Sequence, residues 1–161
     1  MPARAAAEDI PKGPCQFSRK ELILRFWQVI PSTIPAMNRL IGRILRVARS
    51  MECAKGELHK VEIALREALN NAILHGSRGD PRKKVAVCCL CAEDKGMLLV
   101  VENFGPTFDP SKIPDPTRAE NIYASHGRGI FLMRRMMDEV TYHKGGRKVV
   151  MKKAARPRHR R

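Results

Sequence analysis

Glu67, Asn71 and His75 recur at intervals of four residues in Arg66-Glu67-Ala68-Leu69-Asn70-Asn71-Ala72-Ile73-Leu74-His75-Gly76. At about 100° per residue, that spacing stacks three polar side chains along one flank of a helix. Val61, Ala64, Leu65, Ala68, Leu69 and Ala72 form the adjoining apolar face. Asn70 falls almost opposite that face. Asn71 is therefore the asparagine expected at a cavity wall, and Asn70 the one expected in solvent. A carboxylate beside an amide oxygen can hold a divalent cation and can orient or deprotonate a nucleophile. Alone, the row reads equally as a polar edge of the core, with His75 in a structural end-of-helix role.

The second chemical feature is Gly127-Arg128-Gly129-Ile130-Phe131-Leu132-Met133-Arg134, which takes the chain from loop into helix. Helix N-termini expose unpaired N–H groups and the positive end of the dipole, and glycine allows close backbone approach. A phosphate is the natural occupant. The motif is too short for a dinucleotide-binding fingerprint and lacks the Lys-Ser/Thr ending of a P-loop. Before it lies a long segment, 104–127, rich in Pro, Gly and Asp. Connections of that length are uncommon in compact domains unless they serve as lids or binding loops.

These residues need a scaffold, and periodicity supplies one. Leu22 to Ile30 reads as a strand, and Ser32 or Thr33 caps a helix carrying the stripe Met37, Leu40, Ile41, Ile44 and Leu45. A second helix covers about 56–75, ended by the turn-rich residues 76–81. Strands follow near 84–92 and 97–103, then a third helix near 128–138. Short strands near 139–143 and 147–152 flank the hairpin signal Lys144-Gly145-Gly146. This order predicts an α+β fold: a two-layer α/β sandwich, with helices on one face of a mixed, mostly antiparallel sheet. Residues 1–18 are expected to be a mobile segment, 19–153 one domain, and 154–161 a basic tail.

Composition narrows the classes. No apolar run reaches the roughly 18 to 20 residues that cross a bilayer. The N-terminal residues lack the apolar core of a secretory signal, so a cytoplasmic location is expected. The net charge of +15 favours acidic partners. The last ten residues, KKAARPRHRR, hold six of the basic side chains, so any nucleic-acid contact is expected to be weak and non-specific. Cys15, Cys53, Cys88, Cys89 and Cys91 form no paired clusters of zinc-site spacing, and buried reduced thiols are expected.

Three ordered motifs point to a family. Glu67-x-x-x-Asn71, then Asn103-x-Gly105-Pro106-x-Phe108-Asp109-Pro110, then Gly127-Arg128-Gly129-Ile130-x-Leu132-Met133 resemble the N, G1 and G2 boxes of GHKL-type ATPase domains. Within that group the chain looks like the small anti-sigma factor serine kinases of the sporulation and general-stress type, from about Leu22 to Lys152. The resemblance implies the GHKL-type sandwich, ATP and Mg²⁺. It implies Asn71 as the Mg²⁺ ligand and Glu67 as the general base that accepts a serine proton. It places Asn103 on the adenine amino group and Gly105 where the base nears the strand end. Gly127, Arg128, Gly129 and Ile130 would lie at the phosphates, Arg128 adding charge there or facing solvent, and 106–126 would form an ATP lid.

Asn103 stands where the family usually has Asp, which replaces a charge-assisted bond with one weaker by about 1 kcal/mol. Thr107 replaces the second G1 glycine, which is costly if that position needs φ > 0. The implied function is an ATP-dependent serine/threonine protein kinase and anti-sigma regulatory factor. It would phosphorylate a STAS-type anti-anti-sigma protein, sequester a sigma factor and form a homodimer. A nucleotide-sensing adaptor without phosphotransfer, and a basic nucleic-acid-associated protein, are the competing readings.

Overall fold

The computed structural model describes residues 22–121 and 127–155. The expected mobile segment 1–18, and the part of the basic tail from residue 156 onward, lie outside the described residues. The elements are β1 (Leu22–Pro31), α1 (Ile34–Ser50), α2 (Leu58–Asn71), β2 (Lys84–Ala92), β3 (Gly96–Asn103), α3 (Arg128–Met136), β4 (Glu139–His143) and β5 (Lys148–Lys153). Each matches an element expected from periodicity to within a few residues.

The five strands form one sheet in the order β1-β2-β3-β5-β4. All four pairings are antiparallel, in keeping with the mostly antiparallel sheet expected, and no parallel pair is present among them. The reason is connectivity. Two helices separate β1 from β2, so the chain returns in the opposite direction. One helix separates β3 from β4, which leaves those two strands parallel, but β5 inserts between them.

The three helices cover one face of the sheet. Their apolar stripes pack with the alternating residues Val85, Val87, Cys89, Cys91, Met97, Leu99, Val101, Val149 and Met151. Leu90, Leu98, Val100 and Val150 make a separate cluster on the other face. At the start of α1, the Thr33 hydroxyl accepts the Ala36 N–H at 3.3 Å, as the capping signal predicts. On α2, Leu65 and Leu69 are fully buried. Removing such a side chain costs about 2–5 kcal/mol, so these two leucines set the rotation of α2 and thereby aim its polar flank.

Two features depart from expectation. The second helix does not remain α-helical to residue 75. It passes at Ala72 into a π turn, Ala72–Gly76, in which Ser77 N–H donates to the Ala72 carbonyl at 2.8 Å. The cysteines are not all reduced: a disulfide joins Cys53, after α1, to Cys91 on β2, with Cα atoms 6.1 Å apart. Cys88 and Cys89 remain free thiols, and burial pushes the Cys89 thiol up to about 12. The pairing spans 38 residues and arises only when the turn after α1 lands on the sheet.

A buried charge cluster fixes the end of the sandwich where α2 begins. Lys153, at 7% exposure, places its Nζ 3.0 Å from Glu57 Oε2 and 3.3 Å from Asp138 Oδ1. It also donates to the Met136 carbonyl at 3.0 Å. The start of α2, the end of α3 and the last strand are thereby tied at one point.

Candidate functional site

A cavity of about 460 Å³ opens where the C-terminal part of α2, the N-terminus of α3 and the ends of β3, β4 and β5 converge. Glu67, Asn71, Asn103, Gly127, Arg128, Gly129 and Ile130 all line it. The structure therefore brings together residues that lie in three separate motifs. Gly105 is the exception, and its place is described below.

The closest junction is between α2 and α3. A Cβ on Gly129 would lie 2.8 Å from Glu67 Oε2 and 3.5 Å from both Asn71 amide atoms. Glycine is what lets the first turn of α3 rest against the carboxylate and the amide. Gly127, the N-cap of α3, has φ +98°, a left-handed conformation suited to glycine. The α3 N-terminus thus meets the Glu67–Asn71 flank at the cavity wall.

The far end of the site is built around Asn103, 8% exposed at the end of β3. Its Oδ1 accepts the Gly105 N–H at 3.0 Å, and its Nδ2 donates to the Arg147 carbonyl at 3.3 Å. These bonds fix which way the amide faces. One oxygen lone pair and one N–H are left over, an acceptor and a donor side by side. Gly105 does not line the cavity. A Cβ there would collide with the Gly76 carbonyl, and one on Gly76 would lie 2.6 Å from both amide atoms of Asn103. The π turn brings the Gly76 carbonyl to this contact. Gly105 therefore packs behind Asn103.

Thr107 carries no left-handed backbone; among the described residues the non-glycine positions with positive φ are Glu52, Ala54, Arg78 and Lys144. The strain considered for a threonine at that position does not arise. Phe108 N–H instead donates to the Gly145 carbonyl at 2.8 Å, which anchors the loop after β3 on the β4–β5 turn. That loop contains short 3-10 turns at Pro110–Lys112 and Ala119–Asn121. Residues 122–126 of the expected lid lie outside the described residues.

Asn70 requires a correction. It is half-buried and lines the cavity with Asn71. The cavity is centred on the Glu67 flank and not on the core face, and from Glu67 a residue three positions on lies only about 60° round the helix. His75 also lines the cavity and is exposed.

Sequence reasoning missed the floor. Val149 pairs with Val101 on one side and Tyr142 on the other, so the three make a row across β3, β5 and β4. All three line the cavity, with Met133 and Phe108 nearby. Phe108 and Tyr142 meet edge to face, with centroids 5.7 Å apart. No local signal marks this row, because it depends on β5 inserting between its neighbours.

Comparison with known proteins identifies the family and the fold. The family model for the histidine kinase-like ATPase domain matches residues 30–153. The chain is 30% identical over 122 residues to the serine-protein kinase RsbW of Bacillus subtilis (strain 168), covering 69% of this chain and 75% of that relative. It is 32% identical over 125 residues to RsbW of Bacillus pumilus (strain SAFR-032), covering 70% and 76%. The crystal structure of the RsbU and RsbW domains of a Mycobacterium tuberculosis protein is similar in fold, with a TM-score of 0.54 at 14% identity. That match covers 83% of this chain and 33% of the longer one.

Proposed function

The chain belongs to the histidine kinase-like ATPase domain family and is homologous to RsbW serine-protein kinases, and from that premise we propose that it is an ATP-dependent serine/threonine protein kinase and anti-sigma factor. The observation that carries the reading is the approach of Gly129 to Glu67 and Asn71. It brings a carboxylate and a side-chain amide beside the first turn of a helix, which supports reading them as proton acceptor and cation ligand.

The residues fit Mg-ATP. Among the described residues no group of three His, Cys, Asp or Glu side chains can hold a metal on its own. Mg²⁺ binds through one or two protein oxygens plus phosphates and water. Asn71 would supply the amide oxygen, and the ion would neutralise charge on the triphosphate. The Gly127–Ile130 turn holds the phosphates, with Arg128 adding charge at its first helical residue. Asn103 holds the adenine edge. Glu67 takes the proton of an incoming serine hydroxyl as its oxygen bonds to the γ-phosphorus and the bond to the β-phosphate oxygen breaks, releasing ADP. Catalysis is positioning plus charge neutralisation.

The partners in this reading are a STAS-type anti-anti-sigma protein as substrate and a sigma factor held in one state of the switch, with the kinase as a homodimer. Loop 106–126 is its ATP lid, and the cytoplasm is its location. No described helix is long and apolar enough to cross a membrane. The test is incubation with Mg-ATP and a STAS-type protein, read as phosphoserine on that protein. Transfer that disappears in Glu67→Gln supports the reading. ATP binding without transfer makes the chain an adaptor instead, and transfer retained in Glu67→Gln refutes the assigned base.

A further inference from the structure

Among the described residues, two buried side-chain oxygens lack a hydrogen-bond partner: Ser32 Oγ and Tyr142 Oη. Ser32 lies between β1 and α1 and does not line the cavity. Tyr142 belongs to the cavity floor, at the β4 end of the row that begins at Val101. An unpaired buried hydroxyl is destabilising, because it has given up water for nothing. A phenylalanine would fill the same space without that cost. The hydroxyl therefore calls for a partner that the free protein does not provide.

We propose that Tyr142 Oη hydrogen-bonds the nucleoside part of the bound nucleotide, and this assignment rests on the ATP-site reading given above. The register supports the span. Tyr142 sits two strands from Val101, roughly 10 Å away at the usual strand spacing, and Asn103 is two residues further along the Val101 strand. A nucleoside whose base edge meets Asn103 is long enough to bridge that distance. The ring that packs edge-on against Tyr142 is Phe108, from the loop that leaves β3. Entry of the nucleoside under that loop is the event that gives the hydroxyl its partner.

The assignment predicts opposite signs in one variant. In Tyr142→Phe, the nucleotide-free protein should melt higher, by roughly 2–4 °C, since an unpaired polar atom is gone. Its affinity for Mg-ATP should nevertheless fall by about 3- to 10-fold, while binding of inorganic tripolyphosphate with Mg²⁺ stays unchanged. A structural role alone would lower the melting temperature and would not separate the two ligands. Unchanged ATP affinity, a lowered nucleotide-free melting temperature, or equal losses for ATP and tripolyphosphate would each overturn the proposal. If the wild-type protein binds no ATP, the ATP-site reading falls and takes this assignment with it. If the wild type binds and Tyr142→Phe binds equally, only the tyrosine assignment falls.

Discussion

Gly129 and Glu67 touch across the junction of α3 and α2, close enough that a methyl group on Gly129 would lie 2.8 Å from the Glu67 carboxylate. The clash is with the end of a flexible side chain, so it is relieved by turning Glu67 away and not by opening the fold. Gly129→Ala should therefore leave stability within about 1 kcal/mol of wild type, with helix propensity favouring the variant. Phosphotransfer should fall by about tenfold or more as the carboxylate leaves its place. Gly42, on the exposed side of α1, has nothing within 4 Å of an added Cβ. Gly42→Ala is the control, stabilising by roughly 0.5–1 kcal/mol with transfer unchanged. Thermal melts and an initial-rate assay check both.

The same junction shows what periodicity can and cannot read. Strand alternation and helix stripes located all eight regular elements, because each buries its own apolar side. The meeting of Glu67, Asn71 and Gly129 was legible only through the three ordered motifs and the family they resemble, because the polar row alone reads as well as an edge of the core. The π turn was not legible, since its hydrogen bonds skip one residue further without changing residue type. Asn70 was misplaced because its angle was measured from the core face, while the cavity lies along the flank. Tyr142 and Val149 became neighbours of Val101 only through strand order, which no local pattern encodes.

The Cys53–Cys91 pairing is open to direct counting. Alkylation of the denatured, unreduced protein should label Cys88 and Cys89 but neither Cys53 nor Cys91, and prior reduction should expose that pair as well. The bridge closes a loop spanning 38 residues, for which the chain-entropy account gives roughly 3–4 kcal/mol of stabilisation. Reductant should accordingly lower the urea midpoint and steepen the transition, because the unlinked denatured chain is less compact and exposes more surface. Labelling of Cys53 and Cys91 without reduction would show that the two sulfurs are unlinked in solution.

Acid should weaken the corner where Asp138 meets Lys153. Burial raises the Asp138 pKa, but the Ala154 N–H bond at 2.7 Å and the Lys153 ammonium outweigh it, and the net shift is downward. A carboxyl with a depressed folded pKa adds stability above its unfolded value, near 4, and loses that contribution as pH falls through the folded value. Asp138→Asn should therefore be less stable than wild type at pH 7, by about 1 kcal/mol or less because the side chain is half-exposed. The difference should shrink toward zero as pH is lowered below about 4, in urea titrations of both proteins.

Asn103 gives the least intuitive expectation, because restoring the family's usual aspartate should harm this chain. The Asn103 Nδ2 donates to the Arg147 carbonyl at 3.3 Å, and that carbonyl also accepts the Asn103 N–H at 2.9 Å. In Asn103→Asp, one carboxylate oxygen would face the carbonyl with no proton between them, at a position that is 8% exposed. Loss of the bond and burial of the charge should cost about 1–3 kcal/mol at pH 7. The introduced carboxyl would have a raised folded pKa, so its penalty is absent below the unfolded value near 4 and grows as pH rises toward the folded one. Melting temperatures of the two proteins should thus converge as pH falls from 8 to 5. ATP affinity at pH 8 should drop in the aspartate variant despite its better acceptor, because a carboxylate cannot also donate to the adenine ring nitrogen. A gain in ATP affinity at pH 8 would show that Asn103 turns freely and that Arg147 does not hold it.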